Sequence, residues 1–196
     1  MNMEEKTISS RLIFDGRVVH LYEDLVALPN GKTSGREYVK HIGAVCVLPL
    51  TDDGQVVLER QFRYPFGEVL VEIPAGKLDR SDEDPHKAAL RELQEETGLV
   101  ASELTFIGDY YGSPAILGER IRMYLARGLS KGQRHLDEDE FLEVFQMPLA
   151  EAVADVLAGK IPDGKTQAAV LKVYTMLQNE KEKAMHGVAD TPRVVE

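Results

Sequence analysis

The chain has 196 residues, 43% of them hydrophobic and 29% charged, with a formal net charge of −10. Its length suits one globular domain with a small appendage, and the negative charge disfavours a binder of nucleic-acid backbones. Its one cysteine, Cys46, excludes an intrachain disulfide; no apolar run approaches membrane-spanning length, and a cytoplasmic location follows by default.

The elements are taken in chain order. Residues 11–40 read as strands: Val18 to Tyr22 leads into Leu25–Leu28, Pro29-Asn30-Gly31-Lys32 is turn chemistry, and Gly35 to Lys40 is a further strand. Ala44 to Leu50 is continuously apolar, the pattern of a strand buried on both faces, and Cys46 within it reads as a small buried hydrophobe. Asp52-Asp53-Gly54 turns the chain into Gln55–Arg63, and Glu68 to Ile73 makes a short strand. Residues 85–97 give the strongest helix signal: Asp84 caps it, Pro85 takes the first position and Gly98 stops it. Strands are predicted near 103–110, 121–127 and 141–146, helices over 149–158 and 165–182, and a loose tail from Lys183. Strands and helices interleave without a regular βαβ rhythm, which predicts an α/β (α+β) fold with a mixed sheet flanked by helices.

The helix over 85–97 carries the chemistry. Glu92, Glu95 and Glu96 share one face by their i, i+3, i+4 spacing, while Ala89, Leu90 and Leu93 point toward a core. Three like charges repel, and at a helix C-terminus the macrodipole also disfavours anions. A hard divalent cation such as Mg²⁺ would compensate them. A solvated acidic face on the exposed side of the helix explains the same residues, and the glutamates alone do not decide between the two.

The residues around them do. Glu83, Arg91, Glu92, Leu93, Glu95, Glu96, Gly98 and Leu99 stand in the order and spacing of the Nudix box. The segment therefore resembles that of the Nudix hydrolases, with one departure: Gly76 lies one residue too far from Glu83, an insertion in the turn before the helix. The resemblance implies a Nudix α/β/α sandwich and hydrolysis of a diphosphate assisted by two or three Mg²⁺ ions, with Mn²⁺ as a possible substitute. It implies Glu92, Glu96 and the Ala75 carbonyl as metal ligands, with Glu95 a weaker candidate. Arg91 would brace the glutamates through ion pairs.

The similarity extends over roughly residues 12–182. The run Glu72-Ile73-Pro74-Ala75-Gly76-Lys77-Leu78 and Pro114, fifteen residues past Leu99, resemble the ADP-ribose pyrophosphatase branch. That likeness implies substrate contacts from Arg36, Glu37, Arg63, Glu72 and Ser113. Arg36 and Arg63 would supply the local positive charge that an acidic protein needs to hold an anionic diphosphate. The acidic run Asp137-Glu138-Asp139-Glu140 would by itself read as solvated; the resemblance, aligned on the following strand, implies Glu138 as the general base and Glu140 as a further metal ligand. The branch also implies an N-terminal β-rich region, residues 1–40, that pairs across a homodimer and shares the site, followed by a hydrolase domain over 41–182. ADP-ribose leads as substrate, giving AMP and ribose 5-phosphate; ADP-glucose, GDP-mannose, a flavin dinucleotide, or ligand binding without catalysis are the alternatives. No tryptophan is present to stack on a base.

One further motif competes. Gly159 to Thr166 matches the P-loop pattern, but a helix rather than a buried strand is predicted before it, so the match reads as accidental and Lys165 as dispensable.

Overall fold

Alternation along one strand divides the interior in two. The computed structural model describes residues 2–136 and 140–186. In β4 (Ala44–Pro49) every residue is buried, as the apolar run predicts. Ala44, Cys46 and Leu48 face one cluster with Met123, Leu125, Val170 and Val173. Val45 and Val47 face the other, with Ala88, Ala89, Leu93 and Tyr124. Successive side chains of a strand point to opposite faces, so one strand can serve both cores.

This strand lies inside a four-stranded sheet of order β7-β4-β9-β8, with β7 at Ala75–Lys77, β8 at Leu99–Tyr110 and β9 at Ile121–Lys131. β4 pairs parallel with β9 and antiparallel with β7, and β8 with β9 is antiparallel, so the sheet is mixed. Helix α1 (Pro85–Thr97) covers one face; α2 (Leu149–Leu157) and α3 (Gly164–His186) supply the other. A second sheet, β10-β5-β6, is built from Leu142–Pro148, Gln55–Arg63 and Glu68–Glu72; its Val56 and Leu58 enter the first cluster. The predicted α/β/α arrangement is thus the observed one.

The N-terminal residues form a separate meander of β1 (Lys6–Asp15), β2 (His20–Ala27) and β3 (Thr33–Lys40). β1 is exposed along its whole length. Two backbone hydrogen bonds stitch β3 to the loop after β8: Val39 N–H to the Ile116 carbonyl (2.8 Å) and Gly118 N–H to the Val39 carbonyl (2.9 Å).

Helix α1 begins and ends as its caps dictate. The Asp84 carboxylate accepts from His86 N–H at 3.0 Å, Pro85 stands at the start, and Gly98 closes the helix at φ 70°, a conformation that favours glycine. Ala88 rather than Leu90 completes its buried stripe, Leu90 being half-buried. Several boundaries differ from expectation: β9 runs on to Lys131, β10 ends at Pro148, and β7 is an additional short strand. β1 starts at Lys6, β8 starts directly after Gly98, and α3 runs to His186, past the predicted start of a tail at Lys183. Glu, Lys, Ala and Met are good helix formers, so the charged stretch continues the last helix.

Candidate active site

The site is built on the short strand β7 and the helix that follows it. Gly76 lies so close to α1 that a Cβ there would meet the Glu92 carboxyl carbon at 2.0 Å. Its φ is not positive, so closeness rather than backbone conformation calls for glycine. Ala75 N–H donates to Glu96 Oε2 at 2.9 Å. The inserted turn leaves this face intact: Glu83 Oε2 accepts from Asp79 N–H at 2.7 Å and its other oxygen lies 3.4 Å from Arg91. Arg91 braces the group as expected, at 2.8 Å from Glu92, 3.0 Å from Glu95 and 3.6 Å from Asp79. Burial works against the Arg91 charge, but these carboxylates outweigh it and push its pKa up.

Glu92 and Glu96 are both buried, so a solvated helix face does not describe them; Gly76 packs against Glu92, and the Ala75 amide reaches Glu96. Burial pushes the Glu92 carboxyl up to about 7, with Arg91 offsetting part of the effect. Glu96 is pushed up further, by burial and then by Glu59, Glu92 and Glu140. Glu140 lines the same cavity, of about 420 Å³, together with Ala75, Gly76, Glu95 and His135. The predicted base, Glu138, lies outside the described residues, as do Asp137 and Asp139.

A carboxylate that the sequence reading passed over completes this face. Glu59, on β5, is 1% exposed, and neither carboxylate oxygen has a hydrogen-bond partner among the described residues. Burial raises its pKa, and Glu72 and Glu140 add to the effect. A buried, unpaired carboxylate is costly unless a proton or cation joins it. Its signal in the sequence was a charge set directly after Val56-Val57-Leu58, in a buried strand.

Among the described residues no three His, Cys, Asp or Glu side chains are assembled around one point. Glu96 accepts from the Ala75 amide, and Glu92 from Arg91. The donor set nonetheless fits a hard divalent ion: carboxylate oxygens in excess of nearby cations, an orphaned Glu59, and a glycine cradle that brings Glu92 against the backbone.

Ala75, Gly76 and Lys77 also line a second cavity, of about 360 Å³, with Arg63, Ser113, Asp163 and Lys165. Here the structure brings Arg63, Glu72 and Ser113 into one neighbourhood. Arg63 grips Glu72 with two bonds, Nε at 2.6 Å and Nη2 at 2.7 Å. Glu72 is 2% exposed. Burial alone would raise its carboxyl, but Arg63 and Lys165 hold it below the usual carboxylate range. Ser113 stands in a turn, its carbonyl accepting from Ile116 and Leu117 N–H at 3.1 and 2.8 Å.

Arg36 and Glu37 are not brought to either cavity. Both are exposed on β3; Arg36 pairs with Glu5 at 2.5 Å, and Glu37 stands opposite Glu23 in the register. The P-loop is absent, since α2 precedes Gly159 and no strand feeds the loop. Lys165 itself, however, is placed among functional side chains. It is buried, ion-paired to Glu72 and to Asp163 (3.1 Å), and lines the second cavity.

Comparison with known proteins agrees with this architecture. The NUDIX domain family matches residues 40–169, and the nucleoside diphosphate sugar hydrolase N-terminal domain matches residues 5–39. An ADP-ribose pyrophosphatase of Bacillus subtilis (strain 168) is 47% identical over 92% of this chain and 99% of its own. A methanol dehydrogenase activator of Bacillus methanolicus is 46% identical over 89% of this chain and 94% of its own. A crystal structure of an ADP compounds hydrolase, 21% identical, superposes with a TM-score of 0.77 over 92% of this chain and 98% of that one.

Proposed function

This chain belongs to the NUDIX domain family of hydrolases, and from that premise we propose that it hydrolyses the diphosphate of ADP-ribose to AMP and ribose 5-phosphate. The observation that carries the reading is the shared strand Ala75–Lys77, which borders an acidic cavity on one side and the Arg63 cavity on the other. A cation-holding face beside a guanidinium suits a substrate with a negatively charged bridge and a second polar group.

Glu92, Glu96, Glu140 and the Ala75 carbonyl would hold Mg²⁺. When bound, the cation neutralises the diphosphate and lowers the pKa of the attacking water. Glu138 would serve as the general base. Arg91 keeps Glu92 and Glu95 in place through its hydrogen bonds. Glu72 spends both oxygens on Arg63 and Lys165, so its role is to orient Arg63 rather than to touch substrate. Arg63 then presents its remaining nitrogen, Nη1, for a charge-assisted bond to phosphate.

We assign Arg36 and Glu37 to the site of a second copy. β1 and β2 expose Ile8, Leu12, Ile13, Phe14 and Leu25 on a three-stranded sheet. Exposed apolar side chains gathered on one small sheet mark an interaction surface. A homodimer that packs these meanders together would bury them and carry β3 toward the partner's cavities.

The test is a panel of ADP-ribose, ADP-glucose, GDP-mannose and a flavin dinucleotide with Mg²⁺, followed by product analysis. AMP and ribose 5-phosphate from ADP-ribose at the highest kcat/KM supports the reading. Preference for another member by tenfold or more transfers the proposal to that substrate. Glu96→Gln should abolish most turnover on the preferred substrate; unchanged turnover at saturating Mg²⁺ removes the metal assignment.

A further inference from the structure

Lys165 occupies a place that local energetics disfavour. It lies in the first turn of α3, where the helix dipole is positive, and it is buried. Burial opposes its charge, yet Asp163 and Glu72 keep it protonated and push its pKa up. A buried ion pair of this kind contributes little net stability compared with an apolar pair of the same size. Stability is therefore a weak reason for a lysine here, and its contacts suggest another.

Those contacts run in one direction. Lys165 Nζ bonds Glu72 Oε2, the oxygen that also accepts from Arg63 Nη2. The other Glu72 oxygen takes Arg63 Nε. The next residue reaches the same segment: Thr166 Oγ1 accepts from Ile73 N–H at 2.9 Å and donates to Asp163 Oδ2 at 2.6 Å. Gly164 leaves the space that the Tyr110 hydroxyl fills, since a Cβ there would meet that oxygen at 2.1 Å. The start of α3 is thus fitted to the residues that lead into β7.

We propose that Lys165 is a positioning residue of the reaction: it locks Glu72, and through Glu72 it sets the direction in which Arg63 meets the phosphate of a nucleoside diphosphate. Thr166 holds the adjoining backbone of Ile73 in register with this lock. A carboxylate gripped from one side only can rotate about its last side-chain bond; gripped by Lys165 as well, it offers Arg63 one fixed edge. The proposal rests on the reading of Arg63 as a substrate contact.

A double-mutant cycle tests it. K165M, R63Q and the pair are compared for KM and kcat on ADP-ribose with Mg²⁺, and for the Kd of ADP by calorimetry, which needs no turnover. Thermal melting accompanies each variant, and K165Q replaces K165M if the latter does not fold. Each single change should raise KM and Kd about tenfold and lower kcat much less, and the pair should be no worse than R63Q. K165R should restore part of the affinity. Full additivity, or a K165M variant that binds like the parent while R63Q is impaired, overturns the inference and leaves the Arg63 reading standing. An R63Q variant that binds normally overturns both.

Discussion

Glu92 allows the charge deficit of the carboxylate face to be measured. Its carboxyl is raised from 4.5 to about 7, chiefly by burial. The folded state holds this proton more tightly than the unfolded chain. Its contribution to stability is therefore complete below the unfolded value of 4.5 and is lost as pH rises through about 7. Fully developed, the loss is about 3 kcal/mol, or roughly 6–12 °C in Tm for a chain of this length. Glu72 acts in a different window: its pKa is lowered, so its contribution is present above 4.5 and fades only as pH falls below that. Glu92→Gln removes the titrating group and keeps an oxygen for Arg91. Calorimetric melts in EDTA should show little difference between variant and parent at about pH 5, and a variant several degrees more stable at about pH 8. Saturating Mg²⁺ should reverse the order, because only the parent keeps the full ligand. A difference that stays flat with pH in EDTA would refute the claim that burial holds this carboxyl above its ordinary value.

Other expectations follow from the same geometry. Glu138→Gln should lower kcat by on the order of 10²–10⁴-fold with little change in KM, whereas Glu140→Gln should raise the Mg²⁺ requirement; a magnesium titration at fixed substrate separates them. If high Mg²⁺ rescues the first and not the second, their roles are exchanged; if neither loses more than a few-fold, the base is Glu95. Gly76→Ala should fold, since the obstructing atoms are the end of a side chain, but with Glu92 displaced it should bind Mg²⁺ more weakly by calorimetry. Deleting residues 1–40 should cost dimerisation or solubility and raise KM; a soluble, monomeric and fully active truncation, judged by light scattering and assay, rules out a shared site.

Local signals in the sequence were enough for the helix and its carboxylate face. Asp84, Pro85 and Gly98 delimit α1 because capping acts over a few residues, and the glutamate spacing places Glu92 and Glu96 together because a helix has one period. The unbroken apolar run of β4 likewise announced a strand buried on both sides. What only the tertiary structure decided depends on residues far apart in the chain. Glu59 and Glu96 become neighbours through packing, and no spacing rule connects a strand residue with a helix residue 37 positions on. Lys165 resembled the end of an accidental P-loop until the fold carried it 93 positions back to Glu72. The burial of Glu92 and Glu96 was hidden for the same reason: a helix shows which side chains share a face, while the contacts of that face with β7 are set by the fold. Charge and periodicity are properties of a segment; desolvation and ion pairing are properties of the neighbours that folding brings to it.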